Sequence, residues 1–221
     1  AARIAIRPES HARFVDFAPA DDNDRTYLQV QENPRIFNPP SGRIVTANQL
    51  IIGKNFPHYL SDGFASPTRA HRIDEVLDGT RAHDVASFVA MQNDAVSPVA
   101  RELLPLMLKV SPADPADQQL LELLTNWDYK FDPDSVAPTI FTTWLSFLNQ
   151  KITEDDFPGF NTVGDWSVAQ RALGGERSDW CDDRRTEPVE SCKQLLSSSL
   201  TKSREALEAE LGTDITGWVF G

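Results

Sequence analysis

Gly42-Arg43-Ile44-Val45-Thr46-Ala47-Asn48-Gln49 reads as a β-strand and its exit, a β-branched run entered through glycine and left through asparagine. Turn residues bound it on both sides, with Asn38-Pro39-Pro40-Ser41 ahead of Gly42 and Asn48 behind. A second run, Tyr27-Leu28-Gln29-Val30-Gln31, alternates and ends at Asn33-Pro34, so it reads the same way. Residues 1–65 are therefore expected to be strands joined by proline-rich loops, with the acidic Asp21-Asp22-Asn23-Asp24 as a solvated loop or hairpin tip.

From Ser66 the period changes to that of a helix. Ser66-Pro67 is a start signal, cap then proline, and Ala70, Ile73 and Leu77 follow on one face. The signal returns at Ser97-Pro98 and Asp114-Pro115, and Val85, Phe88 and Val89 mark a short helix between. Ile140, Phe141, Trp144, Leu145, Phe147, Leu148 and Ile152 cover more than one face, as in a helix buried on most sides. A last helix is expected from about Thr186 to Leu211, with Gly212 as its C-cap and the Ser197-Ser198-Ser199 run on its polar face. The expected fold class is α+β, mainly helical: a strand and loop segment at 1–65 and a helical region at 66–221.

Composition narrows the function. The chain of 221 residues carries 33 acidic and 21 basic side chains, a net charge of −12. Nucleic acid and anionic membrane surfaces are excluded as partners, because both are bound through clustered Lys and Arg. The densest basic stretch, Arg69 to Arg81, carries its own acids at Asp74, Glu75 and Asp78. No stretch approaches the roughly 18 apolar residues of a membrane span. The two cysteines, Cys181 and Cys192, lack neighbouring ligands for a zinc site. They are either free thiols or one bridge closing a short loop in an oxidising compartment, and sparse cysteine use with one close pair favours the bridge.

Common catalytic motifs are missing: no glycine-rich phosphate loop, His-Glu-x-x-His, Gly-x-Ser-x-Gly or EF-hand spacing occurs. His11 and His58 read as loop residues, His71 and His83 as residues on charged helix faces. The acid pairs Asp155-Asp156 and Asp182-Asp183 read as solvated loops. Two positions stand out. Asn48 directly follows the β-branched run; it is either a turn residue tolerating left-handed geometry or an amide aimed at a ligand or developing oxyanion. Arg69 sits in a first helical turn, where the macrodipole disfavours a cation, so its guanidinium is either simply exposed or held by a partner.

These two positions belong to a longer pattern. Gly42 to Gln49, Phe56-Pro57, Arg69-Ala70-His71-Arg72-Ile73, Met91-Gln92-Asn93-Asp94 with Ser97 and Pro105, Leu124-x-x-Trp127-Asp128, Asp179-Trp180-Cys181-Asp182-Asp183, Glu190-x-Cys192 and Trp218-x-Phe220-Gly221 follow in order. Together they resemble the β-subunit of penicillin acylase (penicillin amidase) family enzymes, which are N-terminal nucleophile hydrolases. The resemblance covers nearly everything after about residue 26. It implies that the strand-rich part belongs to the sheet of that hydrolase fold. It implies hydrolysis of linear amides through an acyl-enzyme, with acyl groups carried on β-lactam nuclei or on homoserine lactones. It assigns Asn48 to the oxyanion hole and Arg69 to a place close to the nucleophile, where it orders the site.

The family's nucleophile is a Ser, Thr or Cys at the mature β-chain N-terminus, with its own α-amino group as base. The chain starts at Ala1, has no Gly-Ser-Asn-like junction, and has Gln49 where a second Asn is common. The resemblance therefore implies an internal β-subunit segment that is inactive alone. Its partners would be the remainder of the β-subunit and an α-subunit from the same precursor, in the periplasm or secreted. No cofactor is expected to be required; a structural calcium in the parent protein is the one metal implied, with Asp62 in the right neighbourhood. The alternatives are a non-catalytic helical binding module and a degenerate acylase relative.

Overall fold

The computed structural model describes residue 4 and residues 26–61, 63–80, 82–155 and 166–221. Asp21 to Asp24, His11, Asp62 and Asp156 lie outside the described residues. The chain forms two compact units, Ala1–Gln92 and Asn93–Gly221.

The second unit is a helical bundle. Its helices are α3 (Pro98–Met107), α4 (Pro115–Thr125), α5 (Ala137–Thr153), α6 (Trp166–Leu173) and α7 (Cys192–Leu211). Two of the three start signals work as their chemistry requires; at Ser66-Pro67 the helix instead begins at Thr68, with Pro67 in the cap position and no side-chain capping bond. Ser97 Oγ accepts from the Ala100 amide and the Asp114 carboxylate from the Ala116 amide, each satisfying a helix-end donor. α5 is the axis of the core: Ile140, Phe141, Trp144, Leu148 and Ile152 are all buried. It packs most extensively on α7 and also on α6 and α4, while α3 lies on α6. Each large aliphatic side chain buried in this way contributes about 1.5–3 kcal/mol.

The last helix departs from its expected bounds. It begins at Cys192 rather than near Thr186, because Pro188 keeps the preceding residue out of helical geometry. The start is set instead by a capping box between Ser191 and Gln194, and Gly212, at φ 88°, closes the other end. The serine run does not lie wholly on a polar face. Ser199 is fully buried, and its hydroxyl takes a hydrogen bond from Trp144 Nε1 (3.0 Å), so a small side chain lets α5 approach closely.

Cys181 and Cys192 form a disulfide, Cα to Cα 4.9 Å, tying the 3₁₀ turn Ser178–Cys181 to the first residue of α7. Closing a loop of this length contributes about 3 kcal/mol on the chain-entropy estimate. Reduction, or replacement of both cysteines by serine, is expected to lower stability by up to that amount. Urea unfolding followed by far-UV circular dichroism, with and without reductant, checks this; unchanged midpoints would refute it.

The first unit contains a 3₁₀ turn at Val30–Glu32 and the helices α1 (Thr68–Asp78) and α2 (Val85–Gln92). Here the α+β expectation fails. Among the described residues there is no strand or sheet; Tyr27 is a lone bridge residue, and Val96 and Lys130 in the second unit form an isolated antiparallel bridge. The alternating run at 27–31 turns into the 3₁₀ segment, where the Gln29 amide is held by Glu32 Oε2 at 2.7 Å. The β-branched run at 43–47 is irregular. The physical reason is that a strand is made by a neighbour, and in this segment side chains take the backbone groups instead. Ser41 Oγ donates to the Arg43 carbonyl, Gln49 Nε2 to the Val45 carbonyl, and Gln49 Oε1 accepts from the Ala47 amide.

Candidate functional site

Asn48 and Arg69, twenty-one residues apart, are in direct contact. Asn48 sits at φ 65°, left-handed geometry that asparagine tolerates better than most residues. Its carbonyl accepts from the Ala65 amide at 2.8 Å, and its neighbour Ala47 is gripped by the Gln49 side chain. Arg69 reaches the turn from the first turn of α1. Its Nη2 donates to the Ala47 carbonyl and to Asn48 Oδ1, both at 2.9 Å.

That contact fixes which way the Asn48 amide faces. A guanidinium has donors only, so the amide atom facing it must be the oxygen. Nδ2 is then the outward end, and it offers N–H donors beside a fixed positive charge. Both residues are solvent-exposed in this structure. The arrangement can bind an oxyanion: a pre-aimed amide donor backed by a guanidinium, which keeps its charge at any working pH.

The segment leading to Asn48 is held a second time. Arg43 donates from Nε to Asp74 Oδ1 (2.7 Å), and from Nη1 and Nη2 to the two Asp78 oxygens (2.6 and 2.7 Å). The hydrogen bonds to Asp78 first, and to Asp74 second, raise the affinity of this guanidinium for its proton above the ordinary arginine value.

Most of the remaining polar candidates have structural partners. His58 faces Glu32 at 3.6 Å and meets the Phe56 ring edge-on. His71 is exposed on α1. His83 lies in the connection before α2 rather than on a helix face, with Nε2 3.1 Å from the Leu77 carbonyl. Asp182 accepts from the Glu190 amide. Asp183 is held at about 2, down from 3.8, chiefly by hydrogen bonds from the Arg185 side chain and amide. Asp155 accepts from the Arg184 amide. Among the described residues no group of three or more His, Cys, Asp or Glu is placed to hold a metal ion, and no helix is long and apolar enough to cross a membrane.

Gln49, Ala65 and Arg43 were not singled out as site residues by sequence reasoning. The signals for Arg43 were a cation inside a β-branched run and two acids one turn apart on α1.

The penicillin amidase family profile matches residues 1–221. An acyl-homoserine lactone acylase, QuiP, of Pseudomonas fluorescens is 29% identical over 88% of this chain and 27% of its own length. A penicillin acylase 2 proenzyme of a Pseudomonas species is 30% identical over 69% of this chain and 20% of its own. The chain thus spans about a quarter or less of these curated relatives. A solved thermostable penicillin G acylase from Alcaligenes faecalis has a similar fold, with TM-score 0.62 and 17% identity over 98% of this chain and 45% of that one.

Proposed function

Because the chain belongs to the penicillin amidase family, we propose that it is an internal β-subunit segment of an amidohydrolase and supplies that enzyme's oxyanion donor. The observation that carries the reading is the Arg69 to Asn48 Oδ1 contact, which turns the amide Nδ2 outward. An upstream N-terminal hydroxyl or thiol, with its α-amino group as base, attacks the amide carbonyl carbon. The nucleophile–carbon bond forms, the carbonyl oxygen becomes an oxyanion, and Asn48 Nδ2 donates to it. The α-amino group takes the nucleophile's proton and returns it to the leaving nitrogen as the C–N bond breaks. Water then releases the acid from the acyl-enzyme.

The names of the relatives point to two substrate kinds, N-acyl homoserine lactones and penicillin-type amides. The partners are the remainder of the β-subunit and an α-subunit from one precursor. The Cys181–Cys192 bridge favours a periplasmic or secreted setting. In an assay with both substrate kinds, the complete enzyme should release free acid and amine, and residues 1–221 alone should release neither. Acid release by the isolated chain, or none by the complete enzyme on either substrate, would overturn the reading.

A further inference from the structure

We propose that Arg43 is a positioning residue for the Asn48 donor: it holds the segment carrying Asn48 alongside the helix carrying Arg69. This rests on the oxyanion reading of Asn48 and Arg69. Segment 43–48 and α1 are joined at two places, Arg69 to Ala47 and Asn48 at one end and Arg43 to Asp74 and Asp78 at the other. The spans match. Arg69 to Asp78 is about 13–14 Å of helix at 1.5 Å per residue. Arg43 to Asn48 is at most about 17 Å of extended chain. The segment therefore runs antiparallel to α1 with a tie at each end. One tie alone would leave it free to pivot; two fix its register.

The chemistry of the second tie suits positioning better than stability. The Arg43 side chain is 26% exposed, against 46% for Asp74 and 67% for Asp78. Ion pairs with such exposed carboxylates contribute little to stability. A planar fork making three hydrogen bonds nevertheless fixes direction, which a lysine ammonium would not. Neither acid belongs to the oxyanion machinery, so the helix's charge pattern acquires a function as the far clasp.

The test uses the complete enzyme carrying Arg43→Lys, Arg43→Ala, Asp78→Asn, and the charge-swapped pair Arg43→Asp with Asp78→Arg, each beside Asn48→Ala. A misplacement near 1 Å costs on the order of a hundredfold, so the single variants should lose about 10- to 100-fold in kcat. KM should stay within about twofold, and the swapped pair should recover most of the loss, because the interaction and not either residue is what is needed. Arg43→Lys should do this with an unchanged melting temperature. If Asn48→Ala lowers kcat by about 10²- to 10³-fold while every Arg43 variant keeps its kcat, or if the swap recovers nothing, the positioning role is refuted. If Asn48→Ala leaves kcat untouched, the oxyanion reading itself falls and takes this one with it.

Discussion

Replacing Asn48 in the complete enzyme is expected to lower kcat by about 10²- to 10³-fold, the loss typical of one oxyanion donor. Three substitutions separate the amide's chemistry from its geometry. Asn48→Gly keeps the φ of 65° without strain and removes the amide. Asn48→Ala removes the amide and adds roughly 1–2 kcal/mol of left-handed strain. Asn48→Asp keeps the acceptor facing Arg69 but turns an oxygen, not a donor, toward the oxyanion. All three should lose turnover to a similar degree, while the melting temperature orders them Asp and Gly above Ala. Steady-state kinetics with thermal unfolding of the same samples checks both orders. Activity that tracks the melting temperature instead would mean that Asn48 is only a turn residue.

The largest stability effect is expected where α4 meets α7. Asp117 is 1% exposed, and its carboxylate accepts from Arg204 Nε (2.7 Å) and Thr201 Oγ (2.6 Å). Arg204 also reaches Glu208 and Asp114, so one guanidinium ties two helices through three carboxylates. Arg204→Met leaves the Asp117 carboxylate buried without its cation, and breaking such a pair costs about 3–5 kcal/mol. Asp117→Leu combined with Arg204→Met removes both charges and should recover much of that loss. Urea midpoints of the two singles and the double give the coupling directly. A double variant no more stable than Arg204→Met would show that packing, not charge, holds this contact.

What the sequence disclosed depended on how local the cause was. The helix starts at Pro98 and Pro115 were legible because cap, proline and first turn adjoin, and the structure puts Ser97 and Asp114 in those capping bonds. The buried character of α5 was legible because Ile140, Phe141, Trp144, Leu148 and Ile152 crowd more than one face. The β-branched run at 43–47 misled because pattern reports what a segment could pair with, not whether a neighbour is there. In this segment the Gln49 side chain takes the Val45 and Ala47 backbone groups instead. The serine run misled in the opposite sense, since polarity there conceals a demand for small volume beside Trp144.

The site was half legible. Asn48 drew notice by its place after the run and Arg69 by its place in a first turn, but residue spacing could not show that they touch. That needed the chain to fold back between Gln49 and Thr68. The clasp of Arg43 on Asp74 and Asp78 spans 31 and 35 residues, so the cation in the β-branched run and the acids one turn apart on α1 are each legible but their pairing is not.

The division into two units has a practical consequence for anyone measuring these variants. All five tryptophans, Trp127, Trp144, Trp166, Trp180 and Trp218, fall within Asn93–Gly221. Within residues 1–221, intrinsic indole emission therefore originates in the second unit, and the unit bearing Asn48, Arg69 and Arg43 holds no indole of its own. Phe37→Trp, at a side chain 95% exposed, would place a reporter in the dark half without disturbing a packed position.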